Sequence, residues 1–265
     1  MTEIAAGGGV AGLALYATKM LNDIAGPTAK VTGTVLAEWA ELRLRNWLGI
    51  TSAAAELVED HESDSGEVHP QVLNRILGDG TWVDDDVTQR YLGGVLAASR
   101  TDDGREVRGG YYANLLSFMT PDQVRLHHVV YSALANDPPQ MEYADKSSIR
   151  HAGILFRVAD LAGYFPGEHE TLPIHVLSEA AAGLARDELT NGQLIGDPSD
   201  LEKLGITVGE PSALFYPSVM GILLYLWGCG IRTGNPDRIA RQPRPMLRQV
   251  APMVEPVGIK NWTEG

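Results

Sequence analysis

Hydrophobic and polar positions repeat with a helical period over most of the chain. Apolar side chains recur every three to four residues, with polar side chains between them, in the segments 28–47, 71–77, 87–96, 107–119, 121–135 and 174–188. Thr120-Pro121 would cap one of these helices and begin it with proline, and the acids from Asp84 to Asp86 suit the positive end of another helix dipole. The pattern predicts a mainly α protein with a multi-helical N-terminal region.

The pattern changes after residue 148. Residues 149–164 mix apolar spacings and are compatible with a short strand or a short helix. The later elements are predicted as a helix at 174–188, a short helix after Asp197-Pro198, two short strands at 206–208 and 214–216, and an apolar helix at 219–228. This order of helices around a strand pair predicts a winged-helix-like unit.

A charge-free run from Pro211 to Ile231 is long enough, as one helix, to cross a bilayer. Pro217 divides it, and the helical piece after the proline would be only about 14 Å long. We therefore predict a strand, a turn and a buried core helix. Residues 4–18 are also charge-free, and Gly8 and Gly12 have the spacing of closely packed membrane helices. Membrane contact through residues 4–18 and packing on the protein or a partner both stay open.

The chain after residue 231 is rich in proline and arginine. Residues 232–250 contain five arginines and one acid, a net charge of +4, whereas the whole chain carries −13. Because the prolines prevent a long helix, we predict an extended basic tail. It would lie across the acidic body of its own or a neighbouring subunit, or bind phosphate. The candidate phosphate or partner contacts are Arg238, Arg241, Arg244 and Arg248.

These patterns divide the chain into four parts. They are a Gly/Ala-rich segment at 1–27, a helical region at 28–140, the winged-helix-like unit at 148–231 and the tail at 232–265. The helical region contains an acidic stretch, residues 56–86, with ten carboxylates and one arginine. That stretch lacks the alternating oxygen ligands of a calcium loop, so we predict no metal site in it.

Composition and motifs exclude several function classes. A pI near 4.9 argues against a nucleic-acid footprint over the whole surface. Cys229 is the only cysteine, which excludes an internal disulfide and fits the cytosol. No phosphate-binding glycine loop, nucleophile elbow or zinc-binding helix motif occurs, and adjacent histidines such as His127 and His128 cannot form a ligand pair on one helix face. We predict a cytoplasmic, non-enzymatic protein without a cofactor, although a triad assembled from distant residues stays open.

Several segments resemble the Abi-alpha (abortive infection alpha) family. The opening helix, residues 23–47, contains Gly26-Pro27, Gly33, Leu36-Ala37-Glu38-Trp39, Arg43 and Arg45-Asn46. Residues 82–100, residues 112–134, the DLEKLGI segment and the apolar segment after it are also similar to the family pattern, so the resemblance covers roughly residues 20–232. Gly93-Gly94 stands where the family pattern has bulkier residues. The resemblance implies an all-α protein tied to phage exclusion, without known catalytic residues.

Three functions follow from these observations. The first is a bacterial or phage-encoded, non-enzymatic phage-exclusion protein that acts through protein contacts or membrane perturbation, and that becomes membrane-associated on activation. A protein partner or a homo-oligomer is expected for it. The alternative is a winged-helix nucleic-acid-binding regulator, which would use the basic tail. The third is a small enzyme with a pocket that no sequence motif marks.

Overall fold

A computed structural model describes residues 33–59, 66–136, 152–165, 174–203, 205–241 and 256–261. Within these ranges the protein has nine α-helices, a two-stranded sheet and a four-stranded sheet, both antiparallel. The prediction of a mainly α protein is confirmed. The predicted contact segment at residues 4–18 lies outside the described residues.

The N-terminal half consists of five helices and one short antiparallel pair of strands that are distant in sequence. The helices are α1 (Gly33–Glu59), α2 (Pro70–Gly80), α3 (Asp86–Ala98), α4 (Gly109–Phe118) and α5 (Pro121–Asn136). The strands β1 (Glu67–Val68) and β2 (Arg100–Thr101) pair with each other. All five helices fall on predicted helical segments, but α1 continues to Glu59, into the acidic stretch.

The helix starts follow the capping pattern in the sequence. The Asp85 carboxylate accepts the Thr88 N–H at 2.9 Å at the start of α3. At the start of α5 the Thr120 hydroxyl accepts the Gln123 N–H at 3.3 Å, and the Gln123 side chain accepts the Thr120 N–H at 2.8 Å. Arg125 pairs with Asp85 and so connects the starts of α3 and α5. The predicted cap and first-turn proline of α5 are confirmed.

The C-terminal half contains short helices and the four-stranded sheet. Its elements are β3 (Ala152–Arg157), α6 (Val158–Ala162), α7 (Ile174–Arg186), β4 (Thr190–Gly196), α8 (Pro198–Glu202), β5 (Ser212–Pro217), α9 (Val219–Gly228), a 3-10 helix (Pro236–Arg241) and β6 (Gly258–Asn261). The strand order across the sheet is β4-β5-β3-β6. Residues 149–164 therefore contain both a strand and a helix, within the part of that segment that is described.

Two strand assignments differ from the sequence prediction. Residues 206–208 are not a strand, and Ile206 instead places a buried side chain under the sheet. In place of the predicted strand at 206–208, β4 pairs with β5 on the side opposite β3. The sequence of β4, TNGQLIG, contains two glycines and an asparagine, residues that disfavour strands in isolation. Part of the predicted extended tail also forms regular structure, because β6 pairs with β3.

The four-stranded sheet buries both of its faces. Phe156 and Phe215 point to the main core, where α5 and α7 also pack. Leu155 and Leu214 lie on the opposite face in a small cluster with Leu201 of α8. The main core draws side chains from α1, the sheet and the 3-10 helix, and so it spans segments on both sides of residue 140.

The Gly93-Gly94 pair lets α3 approach two helices closely. A Cβ on Gly93 would lie 2.7 Å from the Ile50 carbonyl oxygen of α1, and a Cβ on Gly94 would clash with the backbone of Gly228 in α9. Real Cβ atoms do not come this close to backbone atoms, so larger residues would push the helices apart. The glycines that depart from the family pattern therefore have a packing role in this chain.

The charge-free run from Pro211 to Ile231 forms β5 and α9. Ser218 lies between them and caps α9 by accepting the Gly221 N–H at 2.9 Å. Leu224 and Trp227 of α9 are fully buried. The interpretation as a strand, a turn and a core helix is confirmed. No helix in the described part of the chain is both long and apolar enough to span a bilayer.

Candidate functional site

Two tryptophans from distant parts of the chain meet at the protein surface. Trp39 lies in α1 and Trp82 follows α2, and their rings pack edge to face with centroids 4.4 Å apart. The Arg43 guanidinium lies over the Trp82 ring, 4.8 Å from its centroid. Trp39 remains 44% exposed and Trp82 49% exposed. We call Trp39, Arg43 and Trp82 the tryptophan surface.

Hydrogen bonds beneath these rings fix the turn that carries Trp82. The Arg43 Nε donates to the Thr81 hydroxyl at 3.0 Å, and the Asn46 amide donates to the Thr81 carbonyl at 3.0 Å. From α3, the Gln89 amide donates to the Asn46 side chain at 3.2 Å and to the Val83 carbonyl at 2.8 Å. Three helices thus hold the turn, and the two rings are presented on a pre-organised backbone.

The exposed area of the tryptophan surface suits binding rather than folding. Leu42, one turn along α1, is also exposed, whereas α1 reaches the core through Trp47 and Ile50 further along. Trp39 and Leu42, two apolar residues of the predicted helical segment 28–47, therefore do not lie on the core face of the helix. Tryptophan and arginine are enriched among the residues that contribute most of the binding energy at protein interfaces.

A second group of rings is enclosed in the core. We call Tyr91, His127, His128, Tyr131 and Tyr225 the His127 cluster, and each is 2% exposed or less. It joins α3, α5 and α9. The His127–Tyr131 ring centroids are 4.5 Å apart, and the His128 ring stacks on Tyr225 with centroids 6.1 Å apart.

Hydrogen bonds settle the protonation of His127. Its Nε2 lies 3.1 Å from the Gly221 carbonyl oxygen, which can only accept, so Nε2 carries the proton. Nδ1 then accepts from the Tyr91 hydroxyl at 3.0 Å. Burial lowers the pKa of His127 to about 3, although the Gly221 carbonyl opposes this shift. The imidazole is neutral at physiological pH and is fully satisfied by its partners.

Tyr131 ties the sheet to α9 in the same cluster. Its hydroxyl donates to the Leu189 carbonyl and accepts the Ser218 N–H at 3.0 Å. Burial raises the pKa of Tyr131.

His128 differs from His127, because its Nδ1 is buried without a hydrogen-bond partner among the described residues. Burial lowers the pKa of His128 to about 4. These groups stabilise the core. The rings of Tyr91, His127, Tyr131 and Tyr225 are all buried, so they are not accessible to a substrate.

Cys229 follows α9 at the edge of this cluster. Burial raises the pKa of its thiol to about 12, despite a hydrogen bond with Tyr225 that acts in the opposite direction. The thiol therefore stays protonated, which makes it a weak nucleophile and a weak metal ligand. In the described ranges, histidines, cysteines and acids form no group of three that could hold a metal ion.

The predicted tail contacts are only partly described. Arg238 is exposed on the 3-10 helix, which Ile239 anchors in the core. Arg241 ends that helix, but its side chain lies outside the described residues, as do Arg244 and Arg248 altogether. The structure therefore does not bring the four candidate arginines together at one described site.

The arginine at the start of the tail contacts the protein body. Arg232 donates to the Arg100 carbonyl at the start of β2. Nearby, Arg108 forms a bidentate pair with Glu106 and lies over the Trp227 ring at 5.6 Å. Glu106 has a lowered pKa, chiefly through its hydrogen bond with Arg108. The guanidinium groups of Arg108 and Arg232 are therefore both paired within the protein, Arg108 with a carboxylate and Arg232 with a carbonyl oxygen.

Trp82 is not among the candidate residues predicted from the sequence. One signal was present, because a tryptophan between Gly80 and the acids at Asp84 to Asp86 stands in a turn and has no helix face to pack on. Its proximity to Trp39, however, depends on how α1 and α2 pack. Two of the segments with the family resemblance, residues 23–47 and 82–100, each contribute a ring to the tryptophan surface.

Comparison of the chain with protein-family models, with curated proteins and with solved structures finds no match in any of the three. Function is therefore inferred from the geometry of the surface and from the motif resemblance. The tryptophan surface is the candidate site, because it combines exposed rings with a fixed backbone.

Proposed function

We propose that this chain is a non-enzymatic phage-exclusion protein, bacterial or phage-encoded, that acts by binding a partner protein at the tryptophan surface. The observation that carries this proposal is the contact between two exposed rings, Trp39 on α1 and Trp82 on a fixed turn, which come from two of the segments that resemble the Abi-alpha family. The buried His127 cluster supports a non-enzymatic role, because its neutral imidazoles are already satisfied or enclosed.

Binding at this surface is physically reasonable. Burying the exposed part of two indoles removes apolar area from water, at roughly 25 cal/mol per Å². The backbone hydrogen bonds of residues 81–83 are already formed, so little conformational entropy would be lost on binding. The cation–π contact of Arg43 holds the Trp82 ring in place and contributes about 0.5–1 kcal/mol at an exposed site.

A phage challenge tests the function. A bacterial strain that carries the gene and the same strain without it are infected with a broad panel of phages, and plaques and surviving cells are counted. The proposal predicts fewer plaques with the gene for at least one phage, together with death of infected cells before phage release. Equal plaque counts across the panel would remove the proposed role.

Membrane perturbation is a variant of the same proposal. It is supported by the charge-free residues 4–18, which would contact the membrane only after activation. A potential-sensitive dye, read during infection, separates the two modes. A loss of potential before lysis favours membrane perturbation, whereas an unchanged potential in dying cells favours the protein contact.

A winged-helix nucleic-acid-binding regulator is the alternative. Its support is the order α7, β4, α8, β5 and α9, and the exposed Arg238 near the start of the basic tail. Its difficulty is the net charge of −13. A gel shift that weakens steeply with salt would favour this alternative, since each arginine that contacts a phosphate releases counterions. An absent or salt-independent shift would exclude it.

A further inference from the structure

The strand β4 forms one edge of the four-stranded sheet. β5 covers one of its sides, and β6 occupies the opposite edge of the sheet. Paired residues run from Thr190 with Pro217 to Gly196 with Ser212. On its other side, β4 has no strand partner in the described ranges.

The hydrogen-bonding pattern between the strands shows which residues of β4 direct their backbone groups away from β5. Val158 donates its N–H to the Pro211 carbonyl at 3.0 Å, which continues the register between β3 and β5. Residues of an antiparallel strand bond alternately to their two neighbours. Pro211, Ala213 and Phe215 therefore bond toward β3, and Ser212 and Leu214 bond toward β4.

Two residues of β4 consequently direct their backbone groups to the open side. Leu194 and Gly196 pair with Leu214 and Ser212 and bond inward. Gln193 and Ile195 alternate with them, so their N–H and C=O groups point away from β5. Neither residue makes a backbone hydrogen bond outside the sheet to the rest of the described chain.

This edge lacks the usual protection of an exposed strand. Natural edges carry lysines, prolines or inward charges that prevent pairing with other chains. Between Thr190 and Gly196 there is no charged residue and no proline, and the only irregularity is the register shift near Gly192. The side-chain oxygens of Thr190 and Gln193 are also buried without a hydrogen-bond partner among the described residues.

Charges at the two ends of β4 indicate what could pair with it. Glu188 precedes the strand and Asp197 follows it, and both are exposed without an ion pair to any described residue. Asp200 and Glu202 of α8 add further carboxylates at the second end, although Lys203 pairs with Asp200. An occupant with positive charge at both ends would complement these groups.

The same charges disfavour pairing of β4 with a second copy of itself. In a two-fold antiparallel pair of β4 strands, outward-bonding residues must lie opposite one another. Gln193 of one copy would therefore be opposite Gln193 or Ile195 of the other, or Ile195 would be opposite Ile195. Each of these registers places Glu188 of one copy against the acidic end of the other, residues 197–202. Like charges opposed across strands are destabilising, and the repulsion would occur twice in the symmetric pair.

We propose that β4 binds an extended segment of a partner protein by strand addition, and that this segment is uncharged in its centre and basic at both ends. Main-chain hydrogen bonds to Gln193 and Ile195 supply the affinity, as in other strand-addition complexes. Glu188 and Asp197 select the basic ends. Glu188 lies two residues before β4 and Asp197 directly follows it, so the basic residues of the partner lie just beyond the two ends of a segment that spans the seven residues of β4.

Synthetic peptides and the purified full chain test this inference without any phage. The probe is a fluorescent peptide of about ten residues, with alternating threonine and valine and an arginine at each end, and its control has glutamate at each end. Anisotropy at low salt should show the arginine-ended peptide binding about tenfold more tightly, since two exposed ion pairs form. Equal affinity for both peptides, or no binding of either, would overturn the inference.

Two variants localise the binding. Ile195→Pro removes an outward N–H but leaves the inward bonds of Leu194 and Gly196, and it should abolish binding while the circular dichroism spectrum is unchanged. The double variant E188K/D197K keeps every backbone bond and should prefer the glutamate-ended peptide. An unchanged peptide preference in the double variant would contradict the inference. A wild-type chain that sediments as a dimer, with I195P as a monomer, would also contradict it, because β4 would then pair with a second copy. Because the assay does not involve the tryptophan surface, its failure and failure of the proposed function are separable.

Discussion

The tryptophan surface and the His127 cluster are both built from large rings, yet their surroundings are opposite. In the cluster the rings are buried, and three of its polar groups find partners inside the protein. At the surface the backbone is satisfied from below, while about half of each indole remains in water. The difference indicates that the cluster stabilises the fold and that the surface is available to a partner. Changes in the cluster should therefore alter stability, and changes at the surface should alter binding.

Acid should produce the largest effect, and it should act through the cluster. The pKa values of His127 and His128 are lowered in the folded state to about 3 and about 4, whereas an unfolded histidine has a pKa near 6.5. The unfolded state therefore binds more protons below pH 6.5. The stability that comes from neutral imidazoles is complete above that pH and is lost as the pH falls toward the folded values, by about 1.4 kcal/mol per pH unit for each imidazole.

Urea unfolding at pH 7, 6, 5 and 4.5, for the wild type and His128→Phe, measures this dependence. The variant should lose the contribution of one imidazole, so the difference in free energy between the two proteins should change by about 1.4 kcal/mol per pH unit. Carboxylates contribute equally to both proteins and cancel in the difference. A difference that does not vary with pH would show that His128 is not buried and neutral.

Overpacking at Gly221 should have the next largest effect. A Cβ there would clash with the Tyr131 hydroxyl and with the Leu189 carbonyl oxygen. Gly221→Ala should therefore lower the free energy of unfolding by about 3 kcal/mol or more. Gly78→Ala is the matched control, because a Cβ at Gly78 in α2 meets nothing within 4 Å and should stabilise the helix by up to about 1 kcal/mol. Similar urea midpoints for the two variants would contradict the packing described for α9.

Removal of one hydroxyl in the cluster should have a moderate effect. Tyr131→Phe leaves the Ser218 N–H and the Leu189 carbonyl without their partner, so it should cost about 1–3 kcal/mol. Tyr111→Phe is the control, since Tyr111 is exposed and, within the described part of the chain, its hydroxyl bonds only to the Met220 sulfur at 3.8 Å. The control should change stability by less than about 0.5 kcal/mol. Thermal unfolding of both variants measures their losses of stability. Equal losses would show that the buried hydrogen bonds of the Tyr131 hydroxyl do not stabilise the fold.

The sequence was sufficient for local structure and insufficient for pairings between distant segments. Capping by Thr120 and the division of the apolar run at Pro217 depend on neighbouring residues, and both are present in the fold. The strand β4 owes its conformation to β5, because its own residues disfavour strands, and β6 likewise depends on β3. The same applies to the candidate site. Helical spacing placed Trp39 on an apolar stripe, but only the packing of α1 against α2 shows that this ring meets Trp82 in water.

The double variant W39A/W82A gives the most direct test of the central claim, when its stability and its protection against phage are measured together. The variant is predicted to stay folded, with a free energy of unfolding about 3 kcal/mol lower because the buried half of each indole is lost, and to lose protection against the phages that the wild type excludes. Phe118→Ala, which removes a ring that is 71% exposed elsewhere on the surface, should retain protection. A folded W39A/W82A protein that still protects cells would contradict the claim that this surface carries the function.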